Sequence, residues 1–222
     1  MRALVTGGTG RVGSVIAARL ETEGWNVFPA GRMHGDVAAV DTARAVVRTA
    51  VEELGGLDLL VHAASEGFRP KPFEEVTEDD WDAAFGATAK AAFFVLQEAA
   101  PHLRESHGVA IMIEDVMGME PWPSFIPHSA AKAALAMLTK NFARALAPEV
   151  RVCGIAPGPV AVEPEQEERR AAESLLGRIG TPEDVADAVL YLAGADFVTG
   201  TTLVVDGGRL LQRSQSARSV KP

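Results

Sequence analysis

Short apolar runs alternate with longer amphipathic stretches along nearly the whole chain, and this rhythm limits the fold more than any other feature. "RALVTG", "NVFPAG", "LDLLVHAA", "GVAIMIEDV", "EVRVCGIAPG" and "TTLVVDGG" have the length and bounding turn residues of strands. Between them lie helical patterns. "RVGSVIAARLETEG" puts Val12, Val15, Ile16 and Leu20 on one face. "DTARAVVRTAVEELGG" does the same with Val46, Val47, Ala50, Val51 and Leu54. "TEDDWDAAFGATAKAAFFVLQEAAPHL" reads as one long helix opened by a Thr77–Asp80 capping box. From Ser129, the residues Ala131, Leu135, Leu138, Phe142 and Leu146 form another apolar face, and "TPEDVADAVLYLAG" is a further helix. Strands joined by crossover helices must run parallel, so the chain is expected to fold as an α/β doubly wound parallel sheet of Rossmann type. Residues 1–211 would form that single domain and 212–222 a polar tail. Only "MHGD" separates Arg32 from Val37, too little for a crossover helix, so the sheet should be shortened after its second strand.

Ligands in such sheets sit beyond the carboxyl ends of the strands. Three glycines, Gly7, Gly10 and Gly13, fall there between the first strand and its helix. Glycine lets the backbone approach a pyrophosphate, and the following helix start offers N–H groups and the positive end of its dipole. The second strand ends without the Asp or Glu that would hold an adenosine ribose diol. Arg32 stands there instead and suits a 2′-phosphate, which points to NADP(H). Arg11 adds positive charge within the loop. "HAAS", Asp115 and Pro157-Gly158 follow later strands and should gather along the same edge.

Composition excludes several classes. The net charge of −9 argues against a nucleic-acid surface. No apolar run reaches the roughly 18 residues of a membrane span, and "MRALVTGG" has no signal-peptide core, so a cytoplasmic protein is expected. The single cysteine, Cys153, rules out an internal disulfide or a cysteine metal cluster and reads as a small buried residue.

With the glycine loop, "DLLVHAAS", "HSAAK", "IAPGPV", "GRIGTPEDVADAVLYLAG" and "FVTGTTLVVDGG" in order, the chain resembles the short-chain dehydrogenase/reductase family from Leu4 to about Leu211. The pattern Thr-Gly-x-x-x-Arg-x-Gly, Thr6 to Gly13, and "NFARALAPEVRVCGIAP" are similar to the pteridine and dihydromonapterin reductases. The resemblance implies a cofactor site of Thr6, Gly7, Gly10, Arg11, Val12, Gly13, Arg32, Asp36, Val37, Ala63, Ala64, Lys132, Pro157 and Gly158. It implies Asp115, His128 and Lys132 as catalytic residues and Phe68 as the aromatic that stacks on the substrate. It also implies a homodimer or homotetramer pairing the helices around 78–102 and 129–147. "EPEQEERRAAESLL" resembles the family's substrate lid, although such a charge run also suits a solvated helix face.

The departures carry the interest. The family's catalytic tyrosine is His128 here, its relay asparagine is Thr88, and the first asparagine of its strand-end motif is His62. Lys132 and the oxidised nicotinamide disfavour a charged imidazole, whereas Asp115 favours one if it reaches the ring. His128 therefore either donates the proton or fills space and orders a water. His62 is expected to bond backbone near the cofactor, with His34, His102 and His107 solvated. Three functions follow: reduction of a C=N or C=O group, possible for a dihydropterin; reduction of 3-oxoacyl or general carbonyl compounds; or dinucleotide binding with little turnover.

Overall fold

The computed structural model describes residues 1–67, 69–160 and 164–212. Six strands form one parallel sheet: β1 (Arg2–Thr6), β2 (Asn26–Ala30), β3 (Leu59–His62), β4 (Val109–Ile113), β5 (Arg151–Pro157) and β6 (Thr202–Val205). Their spatial order is β2-β1-β3-β4-β5-β6. The chain leaves β1 toward β2 and returns to the other side for β3, so the switch point of the sheet lies at β1 and β3, beside the glycine loop. β2 is the sheet edge, and a single 3-10 turn at Arg32–His34 is the only regular element before the next helix. This is the shortened edge expected from the spacing.

Successive strand residues point to opposite faces, and the core divides accordingly. Leu4, Leu60, Ala110 and Met112 pack under α2 (Val40–Leu54), α4 (Ala91–Ser106) and α5 (Ile126–Leu146). Val5, Val61, Ile111 and Ile155 pack against α1 (Arg11–Thr22) and α7 (Pro182–Gly194). Two shorter helices, α3 (Glu78–Phe85) and α6 (Pro164–Ala171), lie at the carboxyl edge. Cys153 is fully buried in the second layer, where burial pushes its thiol up.

Two helices depart from the sequence reading. The stretch expected as one helix is α3, a π-helical turn at Gly86–Lys90, and α4. The Thr77–Asp80 capping box does open it, as expected. α5 begins at Ile126 instead of Ser129, because Pro127 needs no N–H partner in a first turn and its fixed φ suits one. His128 is thereby a first-turn residue, one turn below Lys132. His34 is also more than a solvated side chain: its Nδ1 accepts the Gly31 N–H at 3.1 Å and its ring lies 5.0 Å from that of Phe28.

Candidate active site at the carboxyl edge

The glycine loop is shaped by contacts that exclude side chains. A Cβ on Gly13 would lie 2.2 Å from the Gly7 carbonyl oxygen. Gly7 has φ +69°, and a Cβ there would meet the Ala63 and Ala64 backbone at 2.7 Å. The loop closes through Gly10 N–H to the Gly7 carbonyl at 2.9 Å, and Gly10 caps α1 without any side-chain acceptor. The N–H groups of the first turn of α1, at Arg11, Val12 and Gly13, therefore belong to a backbone cradle of the kind that binds phosphate. Thr6 closes β1, and Ala63 N–H donates to its carbonyl at 3.0 Å, which ties the end of β3 to the cradle.

Arg32 follows β2 with its side chain 93% exposed, and its guanidinium lies 3.9 Å from the Glu66 carboxylate. Asp36 accepts the Ala38 N–H at 2.9 Å and so organises the turn before α2, while Val37 packs on the core. Pro157 ends β5, and Gly158 N–H donates to the Val205 carbonyl at 2.9 Å. A Cβ on Gly158 would touch Cα of Asp206 at 2.8 Å, so this glycine lets the turns after β5 and β6 meet.

His62 is fully buried at the end of β3. Its Nε2 faces the Thr88 carbonyl at 3.2 Å and its Nδ1 faces the Thr6 hydroxyl at 2.9 Å. A carbonyl only accepts, so Nε2 carries the proton and Nδ1 accepts from Thr6. Burial, then the nearby Lys132 charge, lowers the imidazole to about 4, so it is neutral near pH 7. The π-helical turn thus finds a donor for a displaced carbonyl in a histidine that also bonds the end of β1.

The catalytic candidates come together beyond β4. Asp115 caps the turn after that strand, with Oδ1 accepting Met117 N–H at 2.8 Å. Its Oδ2 lies 3.4 Å from Nε2 of His128. Lys132 is 5% exposed and donates to the Ile113 carbonyl at 2.8 Å. Burial pulls its ammonium down, against the carboxyls of Asp115 and Glu114. His128, also 5% exposed, lines a cleft of about 260 Å³ with Phe125, Ala83, Ala84, Val76 and Lys71. Lys71 spans both carboxylate oxygens of Asp80 at 2.6 Å and, with its N–H on the Ser124 carbonyl, fastens one wall. That bridge holds the Asp80 carboxyl down to about 2. Phe68, expected over the substrate, lies outside the described residues, as does the tail from residue 213.

Glu114 was not singled out from sequence. It is 2% exposed; Oε1 accepts the Thr139 hydroxyl at 2.7 Å, and Oε2 has no hydrogen-bond partner among the described residues. Burial raises its carboxyl, against the Thr139 and Thr202 hydroxyls and the more distant lysines. It fits because Gly154 has no side chain: a Cβ there would lie 2.0 Å from Oε1. An acidic residue at the end of an apolar strand was the available signal.

Comparisons with known proteins agree with this fold. A family profile described as enoyl-(acyl carrier protein) reductase matches residues 12–209. The chain is 35% identical to the 4-formylbenzenesulfonate dehydrogenase of Comamonas testosteroni, over 93% of this chain and 96% of that one. It is 32% identical to 3beta-hydroxysteroid dehydrogenase 1 of Eggerthella lenta, over 94% and 93%. A solved 7 alpha-hydroxysteroid dehydrogenase, complexed with NADH and 7-oxo glycochenodeoxycholic acid, superposes with a TM-score of 0.83 at 27% identity, covering 93% of each chain.

Proposed function

The chain belongs to the short-chain dehydrogenase/reductase family, oxidoreductases that act on carbonyl groups with a nicotinamide dinucleotide, and from that premise we propose that it is an NADP(H)-dependent reductase in which His128 takes the place of the proton donor. The supporting observation is the 3.4 Å contact between His128 Nε2 and Asp115 Oδ2 at the wall of the cleft, with Lys132 one turn above. The glycine cradle fits a dinucleotide pyrophosphate, since Gly7 and Gly13 allow the loop its tight course, which any Cβ would block, and the first turn of α1 offers its N–H groups. Arg32, with no acid at the end of β2, supports the 2′-phosphate.

A dinucleotide held by the glycine cradle and Lys132 would supply hydride for the substrate carbon. His128 would give a ring N–H proton to the substrate heteroatom and be reprotonated from solvent. Asp115 would orient the ring through Oδ2, with Oδ1 anchored on Met117 N–H. Lys132 spends one of its three donors on the Ile113 carbonyl and keeps two for ribose hydroxyls. The substrate reading is a dihydropterin or related C=N or C=O compound, resting on the Arg11-containing loop and Asp115. A second reading, an aromatic aldehyde or other simple carbonyl compound, is favoured by the dehydrogenase that is 35% identical along nearly the whole chain. Exposed Phe93 and Met137, on α4 and α5, suit the homodimer or homotetramer of the same reading.

The test is the purified protein with NADPH and NADH against dihydropterins, aromatic aldehydes, 3-oxoacyl thioesters and ketones. NADPH oxidation with a pterin or aldehyde, lost in Lys132→Met, is expected. Dinucleotide binding without turnover of any compound would move the chain to the non-catalytic reading.

A further inference from the structure

Glu114 stands just beyond β4, between Ile113 and Asp115, and the chemistry above does not use it. Its side chain is buried against α5, where Oε1 accepts the Thr139 hydroxyl at 2.7 Å. Thr139 also reaches the Leu135 carbonyl of its own helix at 3.1 Å. The Thr202 hydroxyl of β6 bears on the same carboxyl. Gly154 of β5 leaves the room for it, since a Cβ there would lie 2.0 Å from Oε1. One side chain thus joins the end of β4 to α5 across two neighbouring strands.

The join lies on the face of α5 that carries the site. Thr139 is seven positions beyond Lys132, about two turns, and so shares its face. Lys132 donates to the Ile113 carbonyl at 2.8 Å, so the adjacent residues Ile113 and Glu114 grip α5 at two levels. The turn after β4 presses on the helix as well: a Cβ on Gly118 would lie 2.8 Å from the Ala133 backbone nitrogen. Asp115 follows Glu114 in the chain, and His128 is one turn before Lys132. The 3.4 Å spacing of Asp115 Oδ2 and His128 Nε2 is therefore set by how α5 sits on β4. Glu114 is also a costly way to fill its place. Oε2 has no partner among the described residues, and an apolar side chain of like size would bury no carboxyl there. Packing alone favours the apolar side chain.

We propose that Glu114 is a positioning residue: through Thr139 it fixes the height of α5 on β4, and so the placing of His128 and Lys132 against Asp115. A reacting group displaced by about 1 Å can cost a hundredfold in rate, so a tie that lowers stability can still serve the reaction. The rate half of the proposal rests on the reductase reading; the placing half does not.

The test uses the full chain. Glu114→Met fills the space without an acceptor, Thr139→Val removes the hydroxyl at nearly equal volume, and Glu114→Gln keeps an oxygen for Thr139. The His128 ring signals are followed by proton–nitrogen NMR without ligand, identified by their loss in His128→Ala, with the His62 ring as internal reference. In Glu114→Met and Thr139→Val the His128 signals should move while those of His62 stay, and Glu114→Gln should resemble the wild type. With NADPH and benzaldehyde or dihydrobiopterin, kcat should fall roughly tenfold in the first two variants, with dinucleotide affinity little changed, and recover in Glu114→Gln. Melting temperature at pH 8 separates placing from packing: Glu114→Met should melt no lower than the wild type while turning over more slowly. Unmoved His128 signals or an undiminished kcat in Glu114→Met would overturn the proposal. A slower Glu114→Met that also melts lower would make Glu114 a packing residue and overturn it too. Wild-type protein that reduces neither compound would refute the reductase reading, a result told apart from failure of the placing because the NMR measurement needs no turnover.

Discussion

The two halves of the carboxyl edge are built from different material. Beyond β1 and β3 the edge is made mostly of backbone. Gly7, Gly10 and Gly13 shape it by lacking side chains, the first turn of α1 supplies N–H groups, and Thr6 and His62 tie it to the π-helical turn. Beyond β4, β5 and β6 it is made of side chains: Asp115 on His128, Lys132 on a carbonyl, and a cluster of arginines, glutamates and a tryptophan. A backbone site tolerates few substitutions but binds a group common to many substrates and reactions. A side-chain site can change its chemistry one residue at a time, and the proton-donor role proposed for His128 would be such a change.

The largest separation of the two halves should come from His128→Ala. Its turnover should fall by roughly two to four powers of ten, the usual contribution of a placed general acid, with dinucleotide affinity nearly unchanged. His128→Tyr should keep or raise turnover. An active His128→Ala enzyme would mean that water or the substrate supplies the proton.

Gly13→Ala attacks the other half. Its Cβ would meet the Gly7 carbonyl at 2.2 Å, so the loop must shift. We expect a stability loss of about 1–3 kcal/mol by thermal or denaturant unfolding, together with weak dinucleotide binding. Binding as tight as in the wild type would mean that the cradle is only a tight turn.

Arg32→Asp should act more mildly, because the side chain is nearly fully exposed and already lies near Glu66. Loss of a charge-assisted contact predicts a fall in NADPH affinity of roughly tenfold to a hundredfold, with NADH affinity little changed. Equal wild-type affinity for the two cofactors, measured by titration, would remove the role assigned to Arg32.

The smallest effects concern one buried titratable group in each half, with opposite signs. His62 in the folded protein sits at about 4, below its ordinary 6.5. Between those values the unfolded chain binds more protons, so His62 contributes stability near pH 7 that is lost as the pH falls through this window. Glu114 is raised by burial, so the folded protein holds its proton longer, and its contribution declines as the pH rises through the ordinary carboxyl range and above. Melting temperatures across pH should show a shallower acid-side loss in His62→Asn. Glu114→Gln should gain more stability at pH 8 than at pH 5, since it replaces a carboxyl whose Oε2 has no partner among the described residues. Equal slopes in variants and wild type would mean that neither group changes its protonation on folding.

Much of the backbone half was legible in the sequence, because its determinants are local. Glycines between an apolar run and an amphipathic one declare a strand–turn–helix, and only "MHGD" after Arg32 declares the shortened edge. The apolar face of α5 followed from helical spacing, although the helix start did not, since Pro127 extended it by three residues. The π-helical turn was missed because its extra residue leaves the apolar pattern nearly intact; what marks it is the His62 bond to Thr88, made across 26 positions. The segment around Arg170 and Glu173 was readable as a charged helix face and, by resemblance, as part of a lid, but not by its partners Trp122 and Arg209.

Parallel pairing, the shortened edge and the glycine turn after β1 were determined by periodicity, spacing and the conformational freedom of a few glycines, all of which act within a single turn or strand. Tertiary structure alone decided which partner each charged or polar side chain would meet. Glu114 lies above Gly154, 40 positions on, and Arg209 reaches Glu120 across 89. Charges in a sequence carry no address. The packing of crossover helices on the sheet brings distant turns to one edge, and burial there makes each encounter strong enough to matter.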